Sequence, residues 1–145
     1  TDMQAAVGLV QLDKLQMFTQ ARKLNHEYFM EAFKKYKKFF ILPNKSDNAD
    51  PSWFGFILTL KEDAPFTRNQ IVQFLEESKV ATRMLFGGNL THQPAYKRKR
   101  CRIVSELKNT DYIMKNSFWI GVYPGITREM QDFVIEKFEK FLKPY

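Results

Sequence analysis

Cysteine, glycine and proline are all scarce in this sequence. A single cysteine, Cys101, stands among 145 residues, with six glycines and six prolines. One cysteine cannot close an internal disulfide or supply a metal cluster, and such a chain fits a reducing compartment. So few glycines and prolines exclude a collagen-like repeat and any low-complexity segment. Apolar runs are short, and none approaches the roughly 18 consecutive residues that span a bilayer. No charged stretch followed by an apolar segment and a small-residue cleavage site marks the opening, so the expectation is a soluble, cytoplasmic chain. Acidic residues are the minority charge. Against 16 Asp and Glu stand 23 Lys and Arg, a formal net charge of +7.

The composition is 44% hydrophobic, 15% aromatic and 27% charged, which excludes wholesale disorder. A chain of this length buries roughly two-thirds of its unfolded surface, so residues 1–145 read as one domain around one core. It opens Thr1-Asp2-Met3-Gln4 without an initiator methionine, already in helical register. Thr1 and Gln4 have capping-box spacing, a hydroxyl for the third amide and a side-chain amide reaching back. Chains usually begin with a short frayed tail. The expectation is therefore a piece of a longer polypeptide.

From Met3 to Lys38 no proline intervenes, and the spacing predicts one long helix kinked near Gly8. Met17, Ala21, Leu24, Tyr28, Phe29, Ala32, Phe33 and Tyr36 form its apolar side, with Lys14, Arg22, Lys23, Glu27, Glu31, Lys34 and Lys35 opposite. Its first turns differ: Ala5, Ala6, Val7, Leu9 and Val10 are apolar nearly all round, an end that wants cover from a missing domain or a partner subunit. Pro43 to Pro51 is a turn-rich surface loop. Ser52–Leu60 and Ser117–Tyr123 read as buried strands, and Val80–Leu85 as a shorter one. Ile103-Val104 is an expected edge strand. Thr67 with Gln70 caps a helix through about Ser78, Asn109 to Asp111 cap a short one, and Thr127 caps the last, to Leu142. The order predicts an α+β fold, a small sheet covered by helices.

Few residues carry chemistry. His26 and His92 stand alone without ligands at metal spacing, so no metal site is expected. His26 reads as surface decoration on the wetter side of the long helix. Cys101 has no base partner and reads as an inert thiol. Lys97-Arg98-Lys99-Arg100-Cys101-Arg102 could grip phosphates, yet no nucleic-acid motif accompanies it. The glycosylation pattern occurs at Asn44-Lys45-Ser46 and Asn89-Leu90-Thr91 and carries no weight without a secretion signal. Trp53, Phe54, Phe56, Phe118 and Trp119 are most simply core. Phe86-Gly87-Gly88-Asn89 stands apart: its glycines permit positive φ or a close backbone approach, and its amide could bond a ligand, which makes it a candidate site rim.

Several ungapped segments, in order, resemble a known family. Thr1 to Leu15, with Arg22 and Tyr28 beyond, is similar to the start of the small domain in the DegT/StrS family of nucleotide-sugar aminotransferases. Pro51-Ser52-Trp53-Phe54-Gly55-Phe56, the run Thr82-Arg83-Met84-Leu85-Phe86-Gly87-Gly88-Asn89-Leu90, and Gln93-Pro94-Ala95-Tyr96 resemble its lipopolysaccharide-biosynthesis branch, the CDP-4-dehydro-6-deoxyglucose 3-dehydrase type. Asn109-Thr110-Asp111 and Phe118-Trp119-Ile120-Gly121-Val122-Tyr123-Pro124-Gly125 fit it too.

The resemblance implies the C-terminal small domain of a fold-type-I, pyridoxal-phosphate-type transferase, with its cofactor-bearing large domain upstream. It implies pyridoxamine phosphate as cofactor and, in the large domain, a catalytic histidine and a cysteine-ligated two-iron cluster. Neither His26, His92 nor Cys101 matches those positions, so this chain alone is expected to be inactive and to hold no cofactor. By the same resemblance Ser52, Trp53 and Phe54 face the cofactor side of a cleft. Phe86, Gly87, Gly88 and Asn89 line the sugar-nucleotide pocket, and Arg83 is the candidate for its phosphates. Expected partners are the large domain, a second copy in a homodimer and a CDP-sugar, with no membrane. A sugar aminotransferase domain and a freestanding basic nucleic-acid-binding module are the alternatives.

Overall fold

The apolar runs around Phe56 and Phe118 fold as the central strands of one sheet, where they find neighbours on both edges. In the computed structural model, which describes all residues from Thr1 to Tyr145, β2 (Gly55–Leu60) pairs antiparallel with β4 (Ser117–Gly121). β1 (Phe40–Ile41) flanks β2 and β3 (Thr82–Met84) flanks β4, so the order is β1-β2-β4-β3, antiparallel throughout. The helices are α1 (Asp2–Asp13), α2 (Leu15–Phe33), α3 (Arg68–Glu77), α4 (Lys108–Asn116) and α5 (Arg128–Leu142). This is the α+β arrangement expected, a small sheet flanked by helices with a long helical N-terminal segment.

Register sorts the side chains onto two faces, because residues directly opposite in a ladder share a face. Phe56 lies opposite Ile120, Leu58 opposite Phe118 and Leu60 opposite Phe40, all of them buried. Against them α2 packs Phe29 and Phe33, α3 packs Ile71 and Leu75, and α5 packs Phe138 and Leu142. Burying such a side chain stabilises the fold by about 1.5–3 kcal/mol. Phe33 and Phe138 meet edge to face with centroids 4.7 Å apart, a geometry that adds about 0.5–1.5 kcal/mol. The second face carries Ile57 and Arg83 opposite Trp119, and Gly55 opposite Gly121.

Local rules explain the starts of α3 and α5. Thr67 Oγ1 accepts from the Gln70 amide at 3.3 Å, and Thr127 Oγ1 accepts from the Met130 amide at 3.3 Å. By contrast, α4 begins at Lys108 behind Leu107 with no side-chain cap, so Asn109 to Asp111, expected as its caps, lie inside its first turns. At the other end of the molecule, α4 closes the sheet where β2 ends and β4 begins. Tyr112 donates its hydroxyl to the Leu60 carbonyl at 2.6 Å, and Arg68 ties α3 to α4 through the Met114 carbonyl at 2.8 Å.

Six further expectations differ from the fold. The long helix breaks at Lys14, whose amide reaches back three residues to Gln11, and not at Gly8. Glycine weakens a helix without removing a backbone bond. The helix also ends at Phe33, in a 3₁₀ turn over Lys34–Tyr36. Met17 and Leu24 are exposed, so the buried stripe starts only at Asn25. Ser52 to Phe54 precede the ladder, which begins at Gly55, and Ile103-Val104 is exposed and unpaired. His26, expected on the surface, is buried beneath Trp53 with ring centroids 4.1 Å apart and planes at 4°.

Candidate aromatic site on the open sheet face

Trp119 lies flat across its neighbour strand because Gly55 has no side chain. A Cβ at Gly55 would stand 2.5 Å from Trp119 Cε3, closer than atoms can approach. The indole is further pinned by its Nε1–H, which donates to the Met84 carbonyl at 3.2 Å. Phe54, just ahead of β2, tilts against Trp119 with centroids 5.0 Å apart. Phe86, just past β3, reaches Phe54 with centroids 6.4 Å apart. Phe54 and Phe86 are 65% and 76% exposed, so these rings form an open shelf rather than a core.

The loop that carries Phe86 is held under strain. Phe86 has φ 48°, a left-handed conformation that costs a residue with a side chain roughly 1–2 kcal/mol. Its amide donates to the same Met84 carbonyl at 2.8 Å that Trp119 uses. Gly88, at φ 62°, lets the chain pass over α4, where a Cβ would collide with the Met114 side chain at 2.4 Å. Gly87 offers its carbonyl to Gln93 Nε2 at 2.7 Å. Asn89 is 2% exposed: its Nδ2 donates to Asp111 at 2.7 Å while its Oδ1 accepts from the Thr91 amide and hydroxyl. The two glycines and Asn89 thus serve the loop's own packing, and Phe86 is the side chain they present. His92 sits outside this knot with its Nδ1 3.5 Å from Asp111.

The residues singled out from sequence divide accordingly. Phe54 and Phe86 come together on the shelf, and Arg83 lies on the same sheet face, directly opposite Trp119. One Arg83 Nη donates to the Thr82 carbonyl at 2.8 Å, and its other donors carry no partner from the chain. Just below, Glu76 caps the start of β3 through the Thr82 hydroxyl and amide, and those bonds hold its carboxyl below the usual range. Ser52 is exposed on the approach to β2. Trp53 turns the other way, onto His26 and the core. Asn89 does not face outward, so its amide is a support for the loop. Trp119, expected in the core from its aromatic run, is distinguished by period-2 alternation alone: it stands between the buried Phe118 and Ile120.

Other features lack such convergence. An apolar groove of about 540 Å³ runs between the end of β4, Val80-Ala81 and the start of α5, with Lys79 and Glu129 its only charged lining. No three His, Cys, Asp or Glu side chains gather where a metal could sit. Lys97 to Arg102 lie exposed and form no ion pair. No helix is long and apolar enough to cross a membrane.

Comparison with known proteins finds relatives that match nearly the whole chain. The chain is 48% identical over 141 residues, 97% of its length, to the lipopolysaccharide biosynthesis protein RfbH of Salmonella typhimurium, of which it covers 32%. It is 44% identical over 98% of its length to a dTDP-4-dehydro-2,6-dideoxy-D-glucose 3-dehydratase of Saccharopolyspora spinosa, covering 30% of that protein. Among solved structures, the GDP-4-keto-6-deoxy-D-mannose-3-dehydratase of E. coli with bound hydrated PLP superposes with a TM-score of 0.81 at 28% identity, over 91% of this chain and 33% of the other. The chain thus spans about a third of the length of these relatives. Residues 1–139 match the DegT/DnrJ/EryC1/StrS aminotransferase family, and the chain belongs to it.

Proposed function

We propose that this chain is the small domain of a nucleotide-sugar 3-dehydratase that uses pyridoxamine or pyridoxal phosphate, with CDP-4-dehydro-6-deoxy-D-glucose as substrate in lipopolysaccharide biosynthesis. The observation that carries the reading is the 48% identity over 97% of the chain to RfbH, alongside relatives named as sugar 3-dehydratases. On this reading the remaining two-thirds of the enzyme is a large domain with the cofactor anchor, the catalytic base and any two-iron cluster. Support comes from the uncovered apolar residues of α1, where Met3, Val7, Leu9, Val10 and Leu12 are all exposed. The large domain, or a second copy in a dimer, covers them.

The shelf residues fit a wall of the cleft rather than an anchor for the cofactor, since none of them is a lysine or histidine. When bound, the phosphopyridine cofactor supplies the electron sink for cleaving the sugar C3–O bond. The chain's own contribution is enclosure and grip. Ser52 and Phe54 face the cofactor side, and Phe54 and Trp119 exclude water and offer flat faces to a planar ring. Phe86, set by Gly87, Gly88 and Asn89, closes over the sugar nucleotide. The uncommitted donors of Arg83 suit a bidentate hold on phosphate oxygens.

Turnover by the full-length enzyme tests the reading. A product lacking the C3 oxygen from the CDP-sugar supports it. An amino sugar instead makes the parent an aminotransferase, the second reading, which the family name favours. Preferred turnover of a GDP- or dTDP-sugar corrects the nucleotide.

A further inference from the structure

Trp53 and Phe54 are sequence neighbours that point to opposite sides of the sheet, and neither is held by a ladder bond, since pairing begins at Gly55. What holds them is one face of α2. Arg22 Nη1 donates to the Trp53 carbonyl at 3.3 Å and to the Phe54 carbonyl at 3.5 Å. One turn further on, the His26 ring lies parallel to the Trp53 indole at 4.1 Å and edge-on to Phe56 at 5.2 Å. His26 is 4% exposed and its Nε2 has no hydrogen-bond partner. An orphaned buried nitrogen costs free energy. The ring's specific contacts are aromatic, the stack on Trp53 and the edge-on contact with Phe56.

The same face of α2 is anchored to the rest of the fold. Asn25 Nδ2 donates to the Tyr123 carbonyl at 3.0 Å, and Gln131 Nε2 donates to the Asn25 carbonyl at 2.9 Å, which fixes α2 against the end of β4 and against α5. Arg22 and His26 therefore transmit the position of a rigid helix to a segment without strand pairing of its own.

We infer that Arg22 and His26 are positioning residues that set Phe54 against Trp119, acting through the two carbonyls and the Trp53 ring. The structural half of this inference stands alone; its consequence for substrate rests on the proposed function. The test on this chain is nuclear Overhauser contacts between the Phe54 and Trp119 rings. Arg22→Met and His26→Leu lose these contacts while the Phe33–Phe138 contacts in the core persist, and His26→Phe, which restores a stacking ring, keeps them. Contacts that survive in both Arg22→Met and His26→Leu overturn the inference, as does His26→Phe behaving like His26→Leu. If His26→Leu does not fold, the half-buried Arg22 decides alone. In the full-length enzyme Arg22→Met raises KM for the nucleotide sugar about tenfold with kcat preserved. Lost ring contacts with an unchanged KM leave the clamp standing and remove the shelf from substrate binding.

Discussion

The two faces of the sheet use the same residue types for opposite ends. On one face Phe56 and Phe118 vanish beneath Phe29, Phe33 and Phe138, interlocked with helices from three parts of the chain. On the other, Phe54 meets Trp119 and Phe86 at similar ring distances, yet Phe54 and Phe86 stay open to solvent and Trp119 is only half-buried. Aromatic content alone therefore does not mark a core. What separates the faces is the cover above them and the backbone devices that serve them. The buried face needs only regular strands and capped helices. The open face needs Gly55 beneath an indole, a strained Phe86 and a glycine threaded past Met114. Special backbone features concentrate where side chains are displayed for something else to touch.

Substitutions can break this contrast, and the largest effect is expected on the buried face. Phe138→Ala opens a cavity among four packed aromatic rings, Phe33, Phe40, Phe118 and Phe138 itself, and lowers unfolding free energy by about 3–5 kcal/mol in urea titration. Next in size is the pH dependence from His26, whose pKa burial lowers from 6.5 to about 4. Between those values the unfolded chain binds a proton that the folded chain refuses, so stability falls as pH drops through this window. The loss approaches about 3 kcal/mol at its lower end. Urea midpoints for the native chain and for His26→Phe diverge below pH 6.5 if this is right, and run parallel if it is not.

On the open face the effects on stability are smaller and of mixed sign. Gly55→Ala pushes a methyl into the Trp119 indole and costs about 1–3 kcal/mol, visible also as a changed near-ultraviolet circular dichroism of the tryptophan. Phe86→Gly goes the other way. It relieves a positive φ at a side chain that is 76% exposed, so the melting temperature rises, by about 1 kcal/mol of stability.

Much of this architecture was legible locally. Thr67 and Thr127 mark helix starts because a hydroxyl two or three residues ahead of free amides satisfies them wherever the helix later packs. The strands around Phe56 and Phe118 were legible because continuous apolar runs have few alternatives to burial. Features set by distant partners were not. His26 is buried because Trp53, 27 positions away in the chain, folds back over it. β1 comprises two residues and exists only through pairing with Leu60 and Thr59. Ile103-Val104 has strand composition but finds no edge to join. At the site, Phe54, Phe86 and Arg83 could be singled out from their motifs, but their convergence depends on register. Asn89 shows the limit of reading a residue type: an amide suited to a ligand is spent on Asp111 and Thr91.

The central claim, that the open aromatic face is a wall of a nucleotide-sugar site, is tested most directly by steady-state kinetics of the full-length enzyme carrying Phe86→Gly. The account predicts a raised KM for the CDP-sugar in a protein at least as heat-stable as its parent. A KM that does not move in that stable variant contradicts it.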